Sequence, residues 1–234
     1  MARRLLLLST STVFGTRYLE HALPELDDFL GDARTVLFVP FALKDHAAYA
    51  RKARGAFEAL GRSFASLHES TSLPAAIRGA QALFVGGGNT FRLLDTLYRL
   101  DLLGPVRSRV SQGMLYCGAS AGSNLAGPTI RTTNDMPIVE PPSLTALGLV
   151  SFQINPHYLD PEPGSRHMGE TREERLLQFH EENATPVVAL REGAILRVEG
   201  EGILLKGLAG ARIFRRGQAP VDVSPGTPLE GLLS

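Results

Sequence analysis

The sequence of 234 residues contains one cysteine, three lysines and no apolar run long enough to cross a membrane. Because Cys117 is alone, an internal disulfide framework and a zinc site with several cysteine ligands are both excluded. The run Leu5–Leu8 is far shorter than the ~20 residues that span a bilayer. Ser9 ends that run before it reaches the length of a signal-peptide h-region. These absences predict a cytoplasmic protein.

The chain also has no net charge, since 24 basic side chains balance 24 acidic ones. A neutral chain has no long-range attraction for phosphate backbones or anionic lipids, so we expect no nucleic-acid partner and no membrane partner. Hydrophobic residues make up 44% of the chain, which is typical of a soluble globular protein. The absence of repeats and linkers favours a single domain over residues 1–234, with a Pro- and Gly-rich, loosely ordered tail at 220–234.

Segments with strand and helix spacing alternate along the first two-thirds of the chain. The predicted strands are Arg4–Leu8, Thr35–Val39, Ser63–Leu67, Ala82–Val85 and Met114–Cys117, with helices such as Leu19–Leu30, His46–Leu60 and Thr90–Leu100 between them. This rhythm predicts an α/β fold, a three-layer α/β/α sandwich with a mostly parallel sheet. Strands at Leu149–Ile154 and Pro186–Leu190 follow, and short C-terminal runs predict antiparallel strands at one sheet edge.

The segment Gly118-Ala119-Ser120-Ala121-Gly122 matches the G-x-S-x-G pattern of a nucleophile elbow. A predicted strand precedes it and a helix-compatible run follows, as the sharp turn of such an elbow requires. The alternative is a Gly-rich turn in which Ser120 only caps a helix. The four small neighbours favour Ser120 as a nucleophile. Cys117 is the rival nucleophile, but a free cysteine on a strand is more often a small buried hydrophobe.

A serine nucleophile needs a base, which is usually histidine, and a group that orients the imidazole. Of the six histidines, His157 is the best placed, because it follows predicted strand Leu149–Ile154 at the sheet edge where Ser120 is expected. His167 lies in a Gly-containing loop and stays open as an alternative. Glu192 follows strand Pro186–Leu190 and is the candidate orienting acid.

Two aspartates compete with Glu192 for the role of orienting acid. Asp135 and Asp160 both lie in sequences that are also typical of turns. Pairing Asp135 with His157 would restore the Ser…Asp/Glu…His order of α/β-hydrolases, whereas Glu192 comes after the histidine. Because Asp135 does not follow a predicted strand, an ordinary α/β-hydrolase assignment is strained.

A second Gly-rich turn, Gly86-Gly87-Gly88-Asn89-Thr90, follows strand Ala82–Val85. A dinucleotide site is one interpretation, but the third glycine of G-x-G-x-x-G would fall on Phe91. The other interpretation is an oxyanion hole, in which the N–H groups of Gly88 and Ala121 converge on a tetrahedral intermediate. We prefer the oxyanion hole because one mechanism then uses both Gly-rich turns.

A candidate specificity residue begins the predicted helix after residue 171. Thr171 and Glu174 form a capping-box pattern, which makes Arg172 the first residue of that helix. There its guanidinium and the positive end of the helix could together hold a substrate carboxylate. The alternative is a solvated arginine that pairs with neighbouring glutamates.

Together these motifs resemble the peptidase E family of aspartyl dipeptidases. The resemblance covers about Arg4 to Gly193 and is carried by five stretches in order: Leu83–Phe91, Gly118–Asn124, Thr132–Ile138, Asn155–His157 and Gly169–Arg172. It implies a fold similar to the class I glutamine amidotransferase domain, which is flavodoxin-like, with serine in place of cysteine at the elbow. It also implies hydrolysis of dipeptides with an N-terminal aspartate, without a metal or another cofactor.

The resemblance further implies a role for each site residue. Ser120 would be the nucleophile, His157 the general base and Glu192 the triad acid, with an acyl-enzyme intermediate. Gly88 and Ala121 would donate to the oxyanion, while Arg172 would bind the aspartyl side chain. We add Asn89 to the substrate-binding candidates, and Asp135 and Asp160 as secondary ones. The expected partner is a small peptide, and the chain is expected to be a monomer or a homodimer.

Three other functions compete with this hypothesis. A cyanophycinase-like enzyme that cleaves β-aspartyl bonds shares the elbow and the fold, although Thr90-Phe91 after the Gly-rich turn favours the peptidase E family. A non-catalytic binder of small molecules would keep both Gly-rich turns, but its Ser120 would not react with a serine reagent. An esterase or acyltransferase would act on simple acyl esters.

Overall fold

The computed structural model describes residues 3–161, 164 and 168–232. Its strands are β1 (Arg4–Leu8), β2 (Thr35–Val39), β3 (Ser63–Ser66), β4 (Ala82–Val85), β5 (Leu115–Ala119), β6 (Gln153–Tyr158), β7 (Val187–Arg191), β8 (Ala194–Glu199), β9 (Gly202–Gly207), β10 (Ala211–Phe214) and β11 (Val221–Val223). Its α-helices are α1 (Leu23–Leu30), α2 (His46–Ala59), α3 (Leu73–Gly79), α4 (Thr90–Arg99), α5 (Leu103–Ser111), α6 (Ala121–Asn124) and α7 (Arg172–Glu182). Within the described residues, no helix combines the length and the apolar character that crossing a membrane requires.

The main sheet has seven strands in the order β3-β2-β4-β5-β1-β8-β9. The first five of these pair in parallel, and β8 and β9 add an antiparallel hairpin beside β1. If β2, β3, β4 and β5 are renumbered 1, 2, 3 and 4, these strands have the order 2-1-3-4 of flavodoxin-like sheets. Strand β1 then takes the place of the fifth strand. The predicted mostly parallel α/β fold with antiparallel strands near the C-terminus is confirmed.

Helices cover both faces of this sheet. Successive residues of a strand point to opposite faces, and the buried strands are apolar at both sets of positions, so both faces pack against helices. On one face, α1 and α2 bury Phe29 and Phe57 against Phe38 and Phe84. On the other face, the apolar side chains of α3, α4 and α5 pack against strand residues such as Leu83 and Tyr116. The expected three-layer sandwich is therefore present in the main sheet.

Four of the strands after residue 150 form a second sheet that the sequence did not indicate. Its four strands have the order β11-β10-β7-β6, with β6 and β7 parallel and the other pairs antiparallel. One face of this sheet joins the apolar cluster of α3 to α5, where Val188 and Leu190 lie with Leu196 of β8. Helix α7 covers the other face, where Leu176 packs with Phe214. Since the two sheets share one apolar cluster, we keep the single domain as a prediction.

Two sequence expectations need correction in this region. The predicted strand Leu149–Ile154 lies four residues later, as β6. Residues 220–232 are not a loosely ordered tail, because β11 pairs with β10 and Leu229 is fully buried. The Glu230 carboxylate also accepts the N–H of Ile203 at 2.6 Å, which holds this segment against β9.

Candidate active site

Ser120 lies in a strained turn between β5 and α6. Its φ of 51° and ψ of −110° fall in a region that residues other than glycine rarely adopt. A Cβ on Gly118 would lie 2.5 Å from the Gly122 oxygen, and a Cβ on Gly122 would lie 2.2 Å from the Val85 oxygen. The turn thus requires glycine on both sides of Ser120, which explains the G-x-S-x-G pattern sterically.

The Gly-rich turn after β4 approaches Ser120 just as closely. A Cβ on Gly87 would lie 2.9 Å from the Ser120 Cβ. Gly88 has a φ of 131°, and a Cβ there would lie 2.7 Å from the Ala42 oxygen. These positions admit only glycine, so the backbone after β4 can lie directly against the serine turn.

Within the described residues, the backbone N–H groups of both predicted oxyanion donors have no hydrogen-bond acceptor. Ala121 is the first residue of α6, where an N–H has no partner inside the helix. The N–H of Gly88 donates no hydrogen bond to any residue in the described part of the chain. Two such groups beside a serine hydroxyl are the donors that an oxyanion requires. Their role in the reaction stays a prediction.

A chain of hydrogen bonds links Ser120, His157 and Glu192. The Nε2 atom of His157 lies 2.8 Å from the Ser120 Oγ, and its Nδ1 atom lies 3.0 Å from Oε1 of Glu192. An ionised carboxylate can only accept, so the Nδ1–H donates to Glu192 and Nε2 is left to accept the serine hydroxyl. The structure therefore brings together the three residues that the sequence selected, from β6, the end of β7 and the elbow.

An irregular strand aims the histidine at the serine. Between Asn155 and Tyr158 the pairing of β6 with β7 shifts, and His157 itself has a φ of 57°. The backbone of this stretch is held by side chains from the segment after the elbow. The Ile154 oxygen accepts hydrogen bonds from Asn124 Nδ2 at 2.5 Å and from Thr132 Oγ1 at 2.8 Å. The Pro156 oxygen accepts one from Asn134 Nδ2 at 2.6 Å.

Sequence reasoning missed the contribution of Ser9. This residue is fully buried just after β1, and its hydroxyl accepts the N–H of His157 at 2.9 Å. The same hydroxyl donates to the Leu190 oxygen in β7 at 2.9 Å. Ser9 thus ties the main sheet to both strands of the second sheet that carry the site. The sequence showed Ser9 only as the end of an apolar run, so it held no local signal for this role.

The competing aspartates lie elsewhere. Oδ2 of Asp135 accepts the N–H of Thr90 at 2.7 Å and its hydroxyl at 2.6 Å, and it does not bond to His157. Asp160 accepts two hydrogen bonds of 2.7 Å from Arg191, the residue before Glu192. Those bonds and the charge of Arg191 hold the pKa of Asp160 below its usual range. Neither aspartate orients the imidazole.

Arg191 connects the two strand ends that carry His157 and Glu192. Besides Asp160 beyond the end of β6, its guanidinium binds Asp222 of β11 at 2.5 Å and lies over the Tyr158 ring at 5.8 Å. A bidentate arginine–carboxylate pair fixes both direction and distance. This cation next to Glu192 in the chain therefore pairs with aspartates, and Glu192 bonds to His157.

The two substrate-binding candidates have different surroundings. The Oδ1 of Asn89 caps α4 by accepting the N–H of Arg92 at 3.0 Å, and its Nδ2 donates to the Met136 oxygen at 2.9 Å. Arg172 begins α7 after the capping box at Thr171, as expected. It has no hydrogen bond or ion pair with any residue that the structure describes. Burial, and then the charge of Arg175, lower the pKa of Arg172.

The remaining candidates are accounted for by packing or lie outside the described residues. Cys117 is buried in the apolar cluster beside α1 and α2, and burial raises the pKa of its thiol, as expected of a structural cysteine. His180 is buried near the end of α7 and lies 3.0 Å from the Asn183 oxygen. His167 lies outside the described residues. Among the residues described, no three His, Cys, Asp or Glu side chains group together as a metal site would need.

A cleft of about 770 Å³ opens over Ser120 and His157. Gly87, Gly88 and Asp135 also line it. Other lining residues come from the segment after β1, from the segment between β2 and α2, and from α2 itself, namely Thr10, Ser11, Tyr18, Leu43, Lys44, Asp45, Ala48, Tyr49 and Lys52. A cleft of this volume has room for a small peptide.

Comparison with known proteins gives a family for this arrangement. Residues 5–206 match the sequence model of peptidase family S51. The chain is 55% identical over 229 residues to a protein named peptidase E from Streptomyces coelicolor, covering 98% of this chain and 94% of that one. It is 50% identical over 235 residues to a probable alpha-aspartyl dipeptidase from Drosophila melanogaster, covering 99% and 98%.

Solved structures share the fold at lower sequence identity. A peptidase from an acI-B1 actinobacterium superposes with a TM-score of 0.70 at 17% identity, over 97% of this chain and 96% of that one. A putative peptidase E from Listeria monocytogenes superposes with a TM-score of 0.68 at 24% identity, over 89% of this chain and 100% of that one. These similarities support the fold alone.

Proposed function

The chain belongs to peptidase family S51 and is a hydrolase of the serine peptidase class, and on this premise we propose that it is an α-aspartyl dipeptidase. The observation that carries the proposal is the continuous hydrogen-bond chain from Ser120 through His157 to Glu192. A serine hydroxyl needs such a base and orienting acid to become a nucleophile. The name of the Drosophila relative supports the choice of aspartyl dipeptides as substrates.

The reaction proceeds through an acyl-enzyme. His157 accepts the proton of Ser120 at Nε2 while Oγ attacks the scissile carbonyl carbon, and the N–H groups of Gly88 and Ala121 stabilise the resulting oxyanion. Glu192 stabilises the imidazolium that forms. The C–N bond then breaks as His157 protonates the leaving amine. A water molecule then attacks the ester carbonyl carbon as His157 takes its proton. The ester C–O bond breaks, and His157 returns that proton to Oγ of Ser120, which releases the acid and the free serine.

We assign the aspartyl side chain of the substrate to Arg172. Its guanidinium is partly buried and has no anionic partner among the described residues, so a substrate carboxylate would replace lost hydration. Asp135 lines the cleft, and its charge opposes the lowering of the Arg172 pKa by burial and by Arg175. The substrate-binding role of Asn89 and the monomeric or homodimeric state stay predictions.

The test is hydrolysis of α-Asp-Leu, β-Asp-Leu and Leu-Leu by the purified protein in the presence of a chelator. We expect cleavage of α-Asp-Leu alone, and a loss of about 10⁴-fold or more in Ser120→Ala, because the nucleophile is gone. Cleavage of β-Asp-Leu alone would instead favour the cyanophycinase-like activity. No cleavage of any of the three would contradict the proposed substrate.

The specificity assignment has a matched control on the same helix. We expect Arg172→Ala to reduce kcat/KM for α-Asp-Leu about 100-fold, as loss of a charge-assisted pair does. Arg175→Ala removes an exposed arginine, which lies 3.7 Å from Glu170, and should leave kcat/KM nearly unchanged. Equal losses in the two variants would contradict the role of Arg172.

A further inference from the structure

Lysine is rare in this chain, yet two of its three lysines line the active-site cleft. The sequence uses 21 arginines for most of its positive charge. Lys44 and Lys52 line the cleft with Ser120, whereas Lys206 lies elsewhere and binds Glu25 at 2.6 Å. Neither cleft lysine has a carboxylate within ion-pair distance among the residues that the structure describes. The cleft therefore contains two ammonium groups that form no ion pair within the described part of the chain, although the carboxylates of Asp45 and Asp135 also line it.

The wall that carries these lysines is anchored to the Gly-rich turn. Asp45, which caps α2, and Ala48, Tyr49 and Lys52 of α2 follow one another at helical spacing, and all four line the cleft. Tyr49 is buried, and its hydroxyl lies so close to Gly86 that a Cβ there would be 2.6 Å away. Lys52 is one turn further along the same face. The position of its backbone is thus fixed relative to the turn that carries the oxyanion donor.

A ring on the neighbouring segment holds the head of Lys52. Its Nζ lies 5.0 Å from the centroid of the Tyr18 ring, within the range of a cation–π contact. The Tyr18 hydroxyl in turn donates to the Tyr49 hydroxyl at 3.3 Å. An exposed lysine is ordinarily a solvated side chain without a fixed position. Lys52 differs because an aromatic pair retains its ammonium group at the cleft.

The lysine wall lies opposite the wall assigned to the first residue of the substrate. Helix α2 packs on one face of the main sheet, where Tyr49 joins the apolar cluster of that face. Asp135 is bonded to Thr90 at the start of α4, which packs on the other face. Ser120 lies between them at the sheet edge. If the aspartyl residue is on the Asp135 side, the leaving residue is beside Lys44 and Lys52.

In a dipeptide the leaving residue carries a free carboxylate very close to the bond that breaks. Standard bond lengths place the carboxylate carbon about 3.5 Å from the scissile carbonyl carbon. A longer peptide or a terminal amide has no charge at that position. We propose that Lys52, together with Lys44, binds this terminal carboxylate and thereby makes the enzyme selective for dipeptides. The inference rests on the proposed aspartyl dipeptidase function.

The test compares α-Asp-Leu with α-Asp-Leu-amide, which differ only in the terminal charge. For the wild-type protein we expect kcat/KM to be about 10-fold higher for the acid, since one charge-assisted contact is lost in the amide. Lys52→Met keeps an unbranched apolar stem, and it should bring the ratio close to one by raising KM for the acid. The Lys44→Met/Lys52→Met variant should remove the preference completely. Lys206→Met is the matched control and should keep the wild-type ratio.

The outcomes separate this inference from the function on which it rests. A preference for the acid that Lys52→Met removes, and that weakens as salt is added, supports the carboxylate site. Hydrolysis of both substrates with a wild-type ratio near one, or with a ratio that the double variant leaves unchanged, overturns the site while the dipeptidase function stands. No hydrolysis of α-Asp-Leu by the wild-type protein overturns both.

Discussion

The serine half of the active site and the histidine half are held in place by different kinds of contact. Around Ser120 the chain is packed backbone against backbone, and a Cβ on Gly122 would lie 2.2 Å from the oxygen of Val85. Around His157 the backbone is held by side chains that come from distant segments, of which Ser9 and Asn134 are two. The serine half belongs to the main sheet, and the histidine half to the second sheet.

The two kinds of contact predict different responses of the two halves to substitution. A backbone contact leaves no space, so any added atom must displace the turn itself. A side-chain hydrogen bond can be removed singly, and the remaining bonds still define most of the geometry. We therefore expect the serine half to fail completely and the histidine half to weaken in steps.

Gly122→Ala should have the largest effect, and it tests whether the serine half tolerates an added atom. The new Cβ would overlap a backbone oxygen of β4, which cannot rotate away as a side chain does. We expect a loss of detectable hydrolysis and a decrease of about 3 kcal/mol or more in the free energy of unfolding. Activity on α-Asp-Leu and urea denaturation measure the two effects. A variant with near-normal activity would show that the elbow can relax, and the contrast between the halves would be lost.

Gly55→Ala is the control for that substitution. Gly55 lies inside α2, and a Cβ there would meet nothing within 4 Å. Alanine is favoured over glycine in a helix, so this variant should be more stable by about 0.5–1 kcal/mol and fully active. The pair of variants separates steric exclusion at the elbow from a general effect of replacing glycine.

Glu192→Gln tests the histidine half at its most important contact. The amide oxygen can still accept the Nδ1–H of His157, but the negative charge that stabilises the imidazolium in the proposed mechanism is lost. We expect kcat to fall about 10³-fold with little change in KM, since the charge matters only in the transition state. Glu201→Gln, at a side chain that is 99% exposed, should leave kcat unchanged. A loss of kcat as large as that of Ser120→Ala would show that both halves of the site respond to substitution in the same way.

Ser9→Ala probes the link between the two sheets. Without the hydroxyl, the N–H of His157 and the oxygen of Leu190 lose a buried partner, at a cost of about 1–3 kcal/mol in the free energy of unfolding. The base also loses one of its backbone anchors, so we expect kcat to fall about 10-fold. Ser111→Ala removes an exposed hydroxyl that bonds only within α5, and it should change neither quantity. Unchanged kcat in Ser9→Ala would show that the strand alone positions His157.

The same contrast explains which parts of the site the sequence predicts. The steric demands around Ser120 leave glycines at fixed positions next to each other in the chain, so the elbow and the Gly88 turn have a local signature. His157 and Glu192 could be selected because they follow strand patterns. Ser9 and the Arg191–Asp160 pair could not, since their partners lie 148 and 31 residues away. Such contacts exist only once the chain has folded.

The fold was predictable to a similar extent. Strands β1 to β5 alternate with helices, and this local rhythm implies a parallel sheet. The segments after residue 150 also have strand patterns, but the sequence of a short apolar segment does not determine which strand it pairs with. Residues 220–232 are rich in proline and glycine, a composition that predicts a loosely ordered tail, yet Val223 and Leu229 are buried and β11 pairs with β10. Pairing in the second sheet depends on long-range packing, which composition does not encode.

Asp160→Asn should give the smallest effect and sharpens the account of the histidine half. Arg191 holds the pKa of Asp160 below its usual range, so the carboxylate stays ionised in the folded protein at pH values where it is protonated in the unfolded chain. The contribution of this ion pair to stability is therefore complete above the ordinary aspartate pKa of about 3.9, and it is lost as the pH falls through the lower pKa of Asp160 in the folded state.

We expect the wild-type protein to melt at a higher temperature than Asp160→Asn at pH 7, and this gap in melting temperature to shrink towards pH 3. The pair joins the strand ends that carry His157 and Glu192, so kcat at pH 7 should also fall by less than about tenfold. Asp32→Asn, at an exposed aspartate after α1, should leave the melting temperature unchanged at each pH. A gap of constant size between pH 7 and pH 3 would mean that the ion pair with Arg191 does not stabilise this part of the fold.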